Sequence, residues 1–212
     1  MTRRVTPAEA WQSLRDGNDR FVRGEMLHPS QGIERRAELS VAQHPFAVIF
    51  GCSDSRVAAE IIFDQGLGDV FVVRTAGHVL DTTVIGSIEY GVEVLGASLV
   101  VVLGHDSCGA VAAATAALTG GEIAQGFVQA VVDRVIPSIV SLVGPGKAPI
   151  QSIDAATLGH EHVRHTVHML RSYSVSLAEA IDQGRCAVVG LEYTLTDGRV
   201  HLAESLGDLG PA

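Results

Sequence analysis

Only three cysteines occur in 212 residues. An odd count excludes a closed disulfide framework, and such sparing use suits a reducing cytoplasm. Positive charge is also short: 15 Lys and Arg stand against 24 Asp and Glu, a formal net charge of −9. A phosphate backbone or an anionic membrane surface would be repelled, so neither is the main partner. No apolar run is long enough to span a bilayer, and the strongest, residues 99–103, stops at Gly104 and His105. The amino-terminal residues pass from charge into an amphipathic pattern without an apolar h-region, so no secretion signal is expected. Repeats are absent, and the one stretch of biased composition is alanine-rich and follows Cys108. What is present, 47% hydrophobic residues with 23 glycines and 5% aromatics, is the composition of a soluble globular α/β protein. The length fits one domain, 1–212, with a full core.

Thr6 as N-cap, Pro7 at the first helical position and Glu9 at the third predict an amphipathic helix through Trp11, Leu14 and Phe21 to Gly24. A shorter helix at about 33–42 stops before Pro45. The nearly all-apolar runs 46–50, 70–73, 99–103 and 186–189 predict strands covered on both faces, hence a parallel sheet. Helical candidates at 58–63, 83–95 and 109–118 lie between them, which gives an α/β class with a central, mainly parallel β-sheet flanked by helices. Residues 1–44 read as a helical arm and 45–212 as the α/β core. Further helices are expected at 122–143 and 155–171, punctuated by Gly144, Pro145, Gly146 and Pro149. Ser174 caps a short helix to Asp182, and Thr196-Asp197-Gly198-Arg199 turns a terminal hairpin with an antiparallel edge strand.

Two of these strands end in reactive side chains. The first runs into Gly51-Cys52-Ser53-Asp54-Ser55-Arg56, which sets a thiolate, a carboxylate and a guanidinium two residues apart. The third runs into Gly104-His105-Asp106-Ser107-Cys108-Gly109, an imidazole and a thiolate three apart. A lone Cys after a strand is usually a small core residue. Cys, His and Cys at two strand ends are different, because ligands of open parallel sheets collect beyond the carboxyl ends of strands. Three such ligands with one position open match a catalytic zinc site better than a closed structural one.

Together with Phe71-Val-Val-Arg74-Thr-Ala-Gly77 between them, these motifs make the chain similar, from about Thr6 to Val200, to the bacterial β-class carbonic anhydrase family. The resemblance implies a lyase, carbonate dehydratase, that hydrates carbon dioxide reversibly to bicarbonate and a proton. It implies one zinc ion per chain on Cys52, His105 and Cys108, with bound water acidified toward a pKa of about 7 so that hydroxide attacks. Asp54 and Arg56 would form an orienting dyad. Asp54 is also a conditional fourth ligand in a closed state that some members adopt at lower pH. Gln43, Phe71 and Tyr90 match substrate-pocket positions, partly across a dimer interface, and the N–H of Gly109 is free to face the substrate. Arg74 and Tyr193 match two residues of a regulatory bicarbonate site, but Ile49 replaces its Trp, which puts that regulation in doubt. His78 stands where Asn is common. A homodimer or dimer of dimers is implied, with the first helix crossing to a neighbouring subunit.

A rival metal site fails on register. His160 and Glu161 begin a His-Glu-x-x-His pattern, but Arg164 occupies the fourth position after His160, and His162, His165 and His168 step by three and drift around a helix. A solvated or partly packed face is expected there. His28, His44 and His201 are isolated, and Cys186 reads as a buried core thiol. Two alternatives remain: hydrolysis of another small linear substrate such as carbon disulfide, and a noncatalytic zinc-binding protein of the same fold. Asp54 and Arg56 count against the latter, since a structural site needs neither. A redox pair is disfavoured because Cys52 and Cys108 are not in a Cys-x-x-Cys motif.

Overall fold

Five strands pair into one sheet: β1 (Ala47–Cys52), β2 (Val70–Thr75), β3 (Leu99–His105), β4 (Ala187–Tyr193) and β5 (Val200–Leu206). In this computed structural model, which describes residues 5–121, 123–143, 146–147 and 149–210, the strand order is β2-β1-β3-β4-β5. The first three pairings are parallel and the last antiparallel. Every residue of β1 and β3 is buried, as two-sided coverage requires.

Side chains alternate between the two faces. On one, Val48, Phe50, Val100, Val102 and Val188 meet α4 (Thr82–Glu89), α7 (Ala155–Tyr173) and α8 (Val175–Asp182). On the other, Ile49, Val101, Leu103 and Val189 meet α1 (Pro7–Arg23) and α3 (Ala59–Ile62). A third apolar cluster, built by α5 (Gly109–Gly120) and α6 (Val128–Val140), closes around Cys52 and Cys108. No helix among the described residues is long and apolar enough to cross a membrane.

α1 begins with the expected cap: Thr6 and Glu9 form a reciprocal capping box, and Gly24 closes the helix in the left-handed conformation. Its buried face is covered by its own chain, however. Ala10 and Leu14 are fully buried, and Asn18 donates to the carbonyls of Ile62 and Gly198 and accepts from the N–H of Val200. Gly17 permits this contact, since a Cβ there would lie 1.8 Å from the Phe63 carbonyl oxygen. The chain thus covers the Ala10, Leu14 and Asn18 face itself, while Trp11 and Phe21 stay only partly buried.

Three boundaries differ from expectation. α2 (Ile33–Leu39) ends early, where the Ser40 hydroxyl turns back to the Ala37 carbonyl. The helix expected over 83–95 is α-helical only to Glu89, then widens into a π-helical turn at Tyr90–Val94. α6 starts at Val128, after Gly126 at φ 58°, and not near 122. Glu122, Gly144 and Pro145 lie outside the described residues.

Candidate metal centre

β1 lies between β2 and β3, so the chain leaves β1 in one direction and later returns on its other side. The crevice at such a reversal is where parallel sheets bind ligands. Cys52 is the last residue of β1 and His105 the last of β3. Beyond β3, Asp106 donates its N–H to the Tyr193 carbonyl, and Ser107 adopts φ 55°, which turns the chain so that Cys108 becomes the N-cap of α5. The sulfurs of Cys52 and Cys108 and a ring nitrogen of His105 thus lie within 4.8 Å of one another, all on buried residues.

The donor chemistry fits a soft or borderline cation. His105 Nδ1 lies 2.7 Å from the Asp106 carbonyl oxygen, which can only accept, so the ring proton sits on Nδ1 and Nε2 keeps its lone pair. That Nε2 is buried and has no hydrogen-bond partner among the described residues. The Cys52 thiol is pulled down, first by its interaction with Cys108 and further by His105 and the N–H groups of Asp54 and Gly77. Those N–H groups stand 3.4 and 3.3 Å from its sulfur. The Cys108 thiol is pushed up by the interaction with Cys52 and by burial. Burial opposes protonation of His105, but Cys52 outweighs it and raises the imidazole.

Beside the donors, Arg56 grips both oxygens of Asp54: Nε reaches Oδ1 at 2.9 Å and Nη2 reaches Oδ2 at 2.7 Å, with the Arg56 backbone N–H on Oδ1 at 2.9 Å. That fork holds the carboxyl well below the usual carboxylate range. Asp54 Oδ2 lies 3.9 Å from His105 Nε2.

The remaining candidates divide. Phe71 and Tyr90 are neighbours, with ring centroids 6.2 Å apart, and Tyr90 is 47% exposed, but Phe71 pairs with Val48, four residues before the Cys52 end of the sheet, so this chain does not bring the two rings to its own centre. Gly109 opens α5, and a Cβ placed on it would meet nothing within 4 Å, so its face is clear. Gln43 is not brought to the centre by this chain; it lines a surface groove with Leu39, Leu67 and Gly68. Arg74 is turned onto the carbonyls of Cys52 and Asp54, while Ile49 and Tyr193 are packed in the core.

The sequence reading missed a buried histidine pair. His162 is 2% exposed, fully buried where a solvated or partly packed face was expected, and its ring lies 4.3 Å from that of His78, also 2% exposed. The signal was its alignment with Leu158, Thr166 and Leu170, all buried at four-residue spacing. His160 and His168 do face outward, paired with Glu192 and Glu204.

The family model described as carbonic anhydrase matches residues 47–200. A carbonic anhydrase of Mycolicibacterium smegmatis is 56% identical over 204 residues, covering 96% of this chain and 97% of the relative. Carbonic anhydrase 2 of Mycobacterium tuberculosis is 52% identical over 206 residues, 97% of each chain. Among solved structures, the β-carbonic anhydrase CafA of Aspergillus fumigatus superposes with a TM-score of 0.70 at 28% identity, over 81% of this chain and 82% of that one. The match takes in both strand ends and everything between them, and the chain belongs to the β-class carbonic anhydrase family.

Proposed function

We propose that the chain holds one zinc ion through Cys52 Sγ, His105 Nε2 and Cys108 Sγ, and that Asp54 and Arg56 orient the water it uses. As a carbonic anhydrase, the enzyme hydrates carbon dioxide reversibly to bicarbonate and a proton. The observation that carries the site assignment is three convergent buried donors beside a carboxylate whose two oxygens are both fixed by Arg56. Zinc held there would supply the Lewis acidity that makes water nucleophilic near neutral pH.

The residues do the rest. Asp54, kept ionised by Arg56, accepts the O–H of the attacking water and so aims its lone pair. Gly109 offers its backbone N–H to a substrate oxygen from a face no side chain obstructs. Phe71, Tyr90 and Gln43 line the substrate pocket, partly across the interface with a second copy, where the two rings give an apolar wall suited to a small uncharged molecule. Release of Asp54 from Arg56 frees it to serve as a fourth ligand in a closed state.

We assign the working form as a homodimer or dimer of dimers in the cytoplasm, built from one domain with residues 1–44 as its arm. The exposed Tyr90 and Val94 beside β2, and three buried cysteines with no disulfide among them, support this. Light scattering would read the assembly. The site itself is tested by zinc content and stopped-flow hydration from about pH 6.5 to about pH 9, a window that brackets the near-neutral pKa of metal-activated water. One zinc per chain with hydration across the window is expected. Zinc without hydration at any pH would point to another linear substrate such as carbon disulfide, and protein purified without zinc would overturn the assignment.

A further inference from the structure

Behind the metal centre, four residues from four separate segments form one hydrogen-bonded line. Ser138 Oγ on α6 lies 2.9 Å from His162 Nδ1 on α7. His162 Nε2 lies 2.8 Å from the carbonyl oxygen of Gly77, in the turn after β2. The N–H of Gly77 lies 3.3 Å from Cys52 Sγ at the end of β1.

The direction of each bond follows from what each atom can do. A carbonyl oxygen only accepts, so the proton is on His162 Nε2. Burial pushes the His162 pKa down to about 4, so the ring is neutral at pH 7 and Nδ1 is an acceptor. The Val135 carbonyl, 2.6 Å from Ser138 Oγ, also only accepts, so the single Ser138 proton is shared between that carbonyl and Nδ1.

The turn at the far end needs holding. Gly77 sits at φ 63° and ψ 21°, and a Cβ on it would come within 2.5 Å of Ala110 Cβ. His78, which has a side chain, follows at φ 41°. A left-handed pair of this kind persists only where its surroundings fix it. Three contacts do so: the His162 bond to the Gly77 carbonyl, the stacking of His78 on His162, and the Thr75 hydroxyl donated to the Val79 carbonyl at 3.0 Å.

We infer that His162 is a positioning residue for Cys52: held as its Nε2–H tautomer by the Gly77 carbonyl to which it donates, it fixes the turn whose N–H is donated to the Cys52 sulfur. This rests on Cys52 being a metal ligand. Partners one step removed from a metal commonly change its affinity by about 10-fold to 100-fold.

The test uses the full-length protein. Imidazole 15N NMR of the wild type should find His162 protonated at Nε2 and bare at Nδ1; the opposite tautomer, or a doubly protonated ring at pH 7, overturns the inference without reference to metal. Zinc affinity is then read by competition with a chromophoric chelator, and the sulfur environment by the sulfur-to-cobalt charge-transfer band of Co(II)-loaded protein. His162→Leu should weaken zinc binding by about 10-fold to 100-fold and shift the band. His162→Gln, whose side-chain amide can donate to the same carbonyl, should restore most of both. If His162→Leu does not fold, His162→Phe, which fills the same space with no donor, takes its place and should weaken zinc by the same factor. Wild-type affinity and an unshifted band in the folded variants overturn the inference, whereas a wild type that takes up no zinc overturns the metal site and leaves the NMR result to decide the tautomer.

Discussion

Arg74 holds the Cys52 backbone from the neighbouring strand, donating Nε to its carbonyl at 2.9 Å, while Nη2 reaches the Asp54 carbonyl at 2.7 Å. One guanidinium thus spans both ends of the Cys52–Asp54 segment. Lysine cannot make that fork. Arg74→Lys should lower kcat/KM for hydration by about 10-fold to 100-fold with unchanged circular dichroism; wild-type kinetics would mean that the segment holds its shape unaided.

Arg56→Ala removes both side-chain bonds to Asp54. Hydration near neutral pH should fall by about 100-fold or more while zinc content is kept, because an unfixed carboxylate no longer aims the water. Full activity at every pH would refute the dyad.

Chelation offers a test that needs no variant. A ligand bound only by the folded chain adds to its stability, so dialysis against a strong zinc chelator should abolish hydration and lower Tm, and added zinc should restore both. A Tm indifferent to chelator would separate the three donors from any metal.

α7 lies close on the sheet because two strand positions lack side chains. A Cβ on Gly104 would come 2.4 Å from Val163 Cγ2, and one on Gly190 would come 2.8 Å from Val163 Cγ1. Gly104→Ala should cost about 1–3 kcal/mol in urea unfolding. Adding Val163→Ala should recover part of the loss, and strict additivity of the two changes would show that they do not touch.

Acid should weaken the fold through the buried histidines. The His162 pKa is depressed to about 4 by burial, with His165 nearby adding repulsion, against about 6.5 in an unfolded chain. A depressed pKa gives stability that is present above the unfolded value and lost as pH falls toward the folded one. The window is therefore about pH 6.5 down to about pH 4, and His162 alone accounts for roughly 3 kcal/mol across it. His78, depressed still further by burial and by His162, acts in the same sense. Urea melts at the two ends of that window should show the loss, and His162→Gln should flatten it; an equal slope in both proteins would place the acid sensitivity elsewhere.

The donors were legible because Cys52 and His105 each stand where an apolar run gives way to polar residues, and a parallel sheet places such ends together. Apolarity marks strands less well at their ends: pairing carries β1 on through Gly51-Cys52 and β3 through Gly104-His105, past the last bulky residue. The π-helical turn at Tyr90–Val94 escaped because its apolar spacing is that of the α-helix it extends. His162 was masked by its company, since four histidines on one helix suggested a solvated or partly packed face although its own four-residue stripe carries Leu158 and Leu170 and no charge. Its partners were beyond reach, because nothing local in Ser138 or Gly77 says that they converge on one ring.

The reversal of the chain at β1 also sets an order of events. Cys52 lies on one side of the crossover through β2 and α4, and His105 and Cys108 lie on the other, so no local segment carries the whole donor set. Loop closure must come first, with its entropic cost, before the donors meet. A metal ion entering this site would act as a clasp fastened after the sheet has been threaded, so its stabilisation would come late in the folding of each new chain.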